Sequence, residues 1–117
     1  MTRREVFEQV KAHLLRQNRK AFDSEAGKCR YRADDGTRCA VGCLIPDPYY
    51  SEALENNGVS SPEVREALTL AGVPVEDYET LNMLSRLQDL HDSMHESFWA
   101  KALDEIERGA FSGGGVT

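Results

Sequence analysis

The stretch Cys29-Arg30-Tyr31-Arg32-Ala33-Asp34-Asp35-Gly36-Thr37-Arg38-Cys39-Ala40-Val41-Gly42-Cys43-Leu44-Ile45-Pro46-Asp47 decides how the chain is organised. Asp35-Gly36 supplies the positive φ that a tight hairpin turn needs. The spacing therefore predicts a β-hairpin at about 29–41, with arms Cys29–Arg32 and Arg38–Val41. A lone two-stranded hairpin is marginal in water, so it must lie against other elements. Arg30, Arg32 and Arg38 would guard an open edge. Val41–Ile45 reads as one helical turn, stopped by Pro46 and Pro48.

Working outward, the flanks read as helices. Residues 2–17 open on a Thr2/Glu5 capping box and carry Val6, Phe7, Val10, Leu14 and Leu15 on one stripe. Residues 18–28 are polar and read as a loop. Tyr49–Leu54 is expected to be a short helix, and Glu55-Asn56-Asn57-Gly58 a turn. Ser61-Pro62 starts a further helix that ends at Gly72, with Val64, Leu68 and Ala71 inward. Residues 78–90 place Leu81, Met83, Leu84, Leu87 and Leu90 on a buried side. Asp92 or Ser93 is expected to cap a last helix over 94–107, with a Ser93/Glu96 capping box and a core face of Phe98, Trp99, Ala102, Leu103 and Ile106. Gly109 ends it. The expected fold is α+β: four to five helices and one short antiparallel hairpin in a single domain, 1–109. A flexible Gly-rich tail, 110–117, follows.

Charge is placed unevenly along the 117 residues. Residues 1–40 hold ten Lys/Arg against six Asp/Glu, whereas residues 41–117 hold four against fourteen, for a net charge of −6. An acidic surface repels nucleic acid, whose phosphates need Lys and Arg. It suits a protein partner with a basic surface, or head-to-tail contact with the basic end of another copy. No apolar run reaches the length of a membrane span, and no apolar leader follows Met1. Three cysteines are an odd number and favour free thiols, hence a reducing, cytoplasmic setting.

Several groupings invite chemistry. Cys29, Cys39 and Cys43, completed by His91 or His95, would make a Cys3His zinc set, although no Cys-x-x-Cys pair is present. Cys43 with His91 or His95 would make a thiol nucleophile and its base, without a supporting local signature. His91-Asp92 invites comparison with metal phosphohydrolases, but those need more dispersed His and Asp ligands than three histidines allow. Arg30, Arg32 and Arg38 around a glycine turn, with Tyr31 to stack and Gly42 at a helix start, would suit a small nucleotide; no dinucleotide or phosphate-loop fingerprint accompanies them. Against all of these stands packing: free cysteine behaves as a small buried hydrophobe.

The Cys39-to-Asp47 motif, the preceding Tyr31-Arg32 and the later Leu87-Gln88-Asp89-Leu90-His91-Asp92 resemble a group of small phage- and prophage-encoded proteins of unknown function. The likeness spans roughly residues 5–107. A looser likeness is to bacterial domains whose turn reads Cys-Ala-x-Gly-Ala-Leu, with no counterpart of Cys43. The resemblance implies that Cys39, Ala40 and Gly42 let the hairpin approach the helices closely. It implies no catalytic role. The function expected is a non-enzymatic interaction protein of phage type that inhibits or titrates a host factor such as a defence system, whether anti-CRISPR-like or otherwise anti-defence. No resident cofactor is expected; zinc, or sequestration of a nucleotide or signalling molecule, are the alternatives.

Overall fold

The computed structural model describes residues 1–111. Helix α1 (Arg3–Gln17) starts at the expected capping box: Thr2 Oγ1 accepts from the Glu5 amide, and the Glu5 carboxylate accepts from the Thr2 amide at 2.8 Å. Strands β1 (Phe22–Asp23) and β2 (Lys28–Cys29) follow, and then 3₁₀ turns at Gly42–Leu44, Asp47–Tyr49 and Glu52–Leu54. Helix α2 (Pro62–Leu70) is capped by Ser61 with Pro62 in its first turn. Helix α3 (Tyr78–Ser93), a 3₁₀ turn at Glu96–Phe98 and helix α4 (Trp99–Phe111) complete the described residues. The fold is α+β, mostly helical, with one two-stranded antiparallel sheet.

Helices α3 and α4 pack side by side, and α1 lies against both and against the Gly42–Leu44 turn. Trp99, Phe7, Leu14, Leu84, Leu87 and Leu103 are fully buried where these helices meet. Each such side chain contributes about 1.5–3 kcal/mol by leaving water. Tyr31, Cys39, Ala40, Val41, Leu44 and Ile45 join the same core from the hairpin segment.

The ladder lies one arm earlier than its expected place. Phe22 pairs with Cys29 and Asp23 with Lys28, so residues 18–28 contain β1 and half of β2. Asp23 builds the turn: its Oδ1 accepts from the Glu25 and Ala26 amides, and Gly27 takes a φ of 70°. The expected arms Cys29–Arg32 and Arg38–Val41 meet in a single bridge, Arg32 to Arg38. Their turn forms as expected: the Ala33 amide donates to the Thr37 carbonyl at 3.0 Å, with Gly36 at φ 90°. Beyond the bridge, the Cys39 amide still donates to the Tyr31 carbonyl at 3.2 Å, but the Arg30 amide turns to the Ala21 carbonyl. The Tyr31, Arg32, Arg38 and Val41 amides bond to side chains of neighbouring elements, described below, so the arms do not extend the ladder.

The later boundaries also move. Helix α3 runs through Asp92 to Ser93, because the Asp92 carboxylate is held by Gln88 and His91 and is not free to cap. The cap of the next turn is His95, whose Nδ1 accepts from the Ser97 amide at 3.1 Å, in place of the Ser93/Glu96 box. Helix α4 passes through Gly109 to Phe111. Its last turn is held by tertiary contacts: the Phe111 ring meets Phe7 edge-on at 5.8 Å, and Arg3 Nη1 donates to the Ala110 carbonyl at 3.0 Å. Ala110 and Phe111 are therefore helical, and the rest of the expected tail, 112–117, lies outside the described residues. Tyr49–Leu54 is divided between two 3₁₀ turns. Leu15 and Phe98, expected in the core, are exposed at 42% and 58%. Among the described residues, no helix is long and apolar enough to cross a membrane.

Candidate functional site

The hairpin segment is held by four polar side chains. Glu55 stands at the centre of one side: its carboxylate accepts from the Tyr31 amide at 3.0 Å, the Arg32 amide at 3.2 Å and the Tyr50 hydroxyl at 2.6 Å. Gln17 of α1 pairs with the backbone of Arg38 as a strand would, accepting from its amide at 3.0 Å and donating to its carbonyl at 2.9 Å. That carbonyl also meets His13 Nε2 at 2.8 Å, so this nitrogen carries the ring proton. Gln88 of α3 accepts from the Val41 amide at 3.0 Å. Buried backbone groups must be paired, and here side chains replace a sheet neighbour.

Gln88 also belongs to a second chain of bonds. Its Nε2 donates to Asp92 Oδ1 at 2.9 Å, and the same oxygen meets His91 Nδ1 at 2.7 Å. His91 is fully buried, and its Nε2 accepts from the Ala21 amide at 3.0 Å. The two sequence motifs are thus one structural unit. Val41 of the first bonds to Gln88 of the second, and His91 anchors the residue just before β1.

Cys29 joins this unit. Its sulfur, one His91 nitrogen and one Asp92 oxygen lie within 4.8 Å of one another, the one such metal-ligand grouping among the described residues. Neither Cys39 nor Cys43 belongs to it, so the anticipated Cys3His set is not assembled. The hydrogen bonds disfavour zinc at the observed trio. An amide can only donate, so Ala21 fixes His91 Nε2 as the acceptor and places the ring proton on Nδ1, facing Asp92. A metal on Nδ1 would displace that proton and leave Nε2 needing an acceptor where it has a donor.

The thiols are poised for packing. Burial pushes the Cys29 thiol up to about 11, with the Asp92 carboxylate beside it adding to the rise. Burial pushes Cys43 up to about 12 and raises Cys39 as well. A nucleophilic cysteine needs the opposite shift. Cys39 Sγ accepts from the Gly42 amide at 3.3 Å, and the Cys43 thiol donates to the Ala40 carbonyl at 3.1 Å.

The arginines of the expected nucleotide site are answered within the chain. Arg30 binds both oxygens of Glu52, at 2.6 and 2.7 Å, and lies 3.7 Å from both Asp23 and Glu55. Arg32 pairs with Asp47 at 2.7 Å, donates to the Ile45 carbonyl and lies 4.4 Å over the Tyr50 ring. Arg38 reaches the same Asp47 at 3.4 Å. Tyr31 is buried, its hydroxyl donating to the Asn57 carbonyl. Gly42 has a steric reason: a Cβ there would stand 2.0 Å from the Tyr31 carbonyl oxygen. Asp47, the last residue of the first motif, is thus a counter-ion to two hairpin arginines.

Beside this scaffold lies a cleft of about 360 Å³ between Cys29–Tyr31, Glu55–Val59 and the Ser85–Asp92 face of α3. Its walls carry Glu55, Asp89 and Asp92 against one arginine, Arg30, which Glu52 already binds. Of the sequence-predicted residues, the structure brings Cys29, Arg30, Tyr31 and, through Asp92, His91 to this region. Arg32 and Arg38 face Asp47 instead, and Cys39, Cys43 and Gly42 pack the hairpin. Sequence reasoning missed Glu55, Gln17 and Gln88 as fasteners; of these only Gln88 lay in a motif. Compared with protein-family models, with curated proteins and with solved structures, the chain matches none.

Proposed function

We propose that the protein acts without catalysis, as a small acidic interaction protein that occupies a basic surface of a partner protein. The observation carrying this reading is the internal neutralisation of Arg30, Arg32 and Arg38 by Asp23, Asp47, Glu52 and Glu55. Cations already bound to carboxylates are poor phosphate ligands, and the chain as a whole keeps a net charge of −6. The groups that would perform chemistry are also engaged: both His91 nitrogens are bonded, and the three thiols are raised. Complementary charge speeds encounter and excludes wrong partners.

Together with the phage-type resemblance, this acidity supports one partner class: a host factor with a basic channel or face, such as a defence system, which this chain would inhibit or titrate. The test is affinity capture from bacterial lysate at low and high salt, with mass spectrometry of what is retained. A partner retained at low salt and released at high salt is expected. Capture of nothing that responds to salt, together with a nucleotide that raises the melting temperature, would replace this reading with the nucleotide one.

A further inference from the structure

The geometry points to the exposed face of α3 around Asp89 as the docking surface for a basic, amphipathic segment of another protein. This inference rests on the interaction reading above and names where the partner sits and what chemistry it brings. Two depressions flank Asp89. One is the acidic cleft of Glu55 and Asp92. The other is a groove of about 320 Å³ between α3 and α4, floored by Leu90, Ala102 and Ile106 and walled by Met94.

The groove is apolar at its base and open at its wall, where Met94 is 39% exposed. Methionine is unbranched and adaptable, which suits a surface that receives another side chain. The rim is acidic: Asp89 and Glu105 line it, and neither forms an ion pair with another described residue. Arg86, the cation of the groove, lies across Gly109, where a Cβ would come within 2.8 Å of its Nη1. It therefore occupies the end of the groove toward the α4 C-terminus. An occupant with an apolar anchor in the groove and Lys or Arg side chains over Asp89 would place its charge on this rim and on the neighbouring Asp92. An amphipathic helix in a groove presents this combination at helical spacing.

The test is a titration of the labelled protein with a synthetic amphipathic helix of leucine and lysine, followed by amide NMR shifts. A leucine–glutamate helix serves as control. Saturable shifts are expected at Asp89, Ser93, Met94, Ala102 and Glu105 with the basic peptide alone. Met94→Glu and Asp89→Lys change exposed side chains, so their melting curves should match the parent. Each should weaken the peptide at least tenfold. Shifts spread equally over α2, or equal binding of the acidic peptide, would overturn the proposal. So would shifts at these residues that grow with protein concentration alone, which would make a second copy the occupant. Salt-sensitive capture of a lysate partner that survives both substitutions would leave the interaction reading standing and remove this surface from it.

Discussion

The hairpin side of the molecule, residues 18–59, and the helical pair α3–α4 share one apolar core but differ in what else holds them. The helices meet through Trp99, Leu84, Leu87 and Leu103, all without exposure. The hairpin side buries Val41 and Ile45 as well, and is fastened in addition by a few polar contacts from Gln17, Glu55 and Gln88 to its backbone. Apolar packing is shared over many atoms and tolerates small shifts. A carboxylate that satisfies two amides does not, because its loss strands both donors. The difference also separates roles: the polar network uses up the reactive side chains of the hairpin, whereas α3 and α4 keep an exposed face.

Substitutions should sharpen this contrast. The largest effect is expected from Trp99→Ala, which empties the centre of the helical pair and should cost about 3–5 kcal/mol in denaturant unfolding. Glu55→Ala comes next, at about 2–4 kcal/mol, since two part-buried amides lose their acceptor. Its damage should appear in amide exchange at Tyr31 and Arg32 with α4 left protected; equal loss in α4 would erase the distinction drawn between the two regions. Gln88→Leu should cost about 1–3 kcal/mol by stranding the Val41 amide, although its apolar stem still packs.

Alkaline pH should act on the hairpin side first. Cys29 and Cys43 are raised to about 11 and about 12 from an ordinary 9.0, and Tyr50 to about 12 from 10.0. The folded state then holds protons that the unfolded chain releases. The thiols' contribution is complete below pH 9 and is lost as pH rises toward 11–12. Unfolding measured between pH 8 and 11 should show falling stability, flattened in Cys29→Ser with Cys43→Ser. An unchanged slope in that variant would exclude the thiols as the source.

How far the molecule could be read from residues alone follows the same division. Helix periodicity located α1, α2, α3 and most of α4, because an apolar stripe is a local signal. Helix α4 outran Gly109 because Phe111 finds Phe7, a contact separated by more than a hundred residues in sequence. The Asp35-Gly36 turn was legible; the pairing beyond it was not. Glu55 lay in an apparent polar turn and Gln17 at a helix end, and neither position announces a bond to a distant backbone. The candidate site suffered most. Three arginines around a glycine suggested an anion, and only the fold reveals Asp47 and Glu52 beside them.

The most direct measurement is native-state amide exchange at Val41 in the parent protein and in Gln88→Met. Val41 lies in no strand ladder, yet its amide should exchange as slowly as core amides of α3. The substitution should speed it selectively, while the Arg38 amide, held by Gln17, stays slow. Fast exchange at Val41 in the parent would mean that α3 does not fasten the hairpin, and the linkage between the two motifs would fall with it.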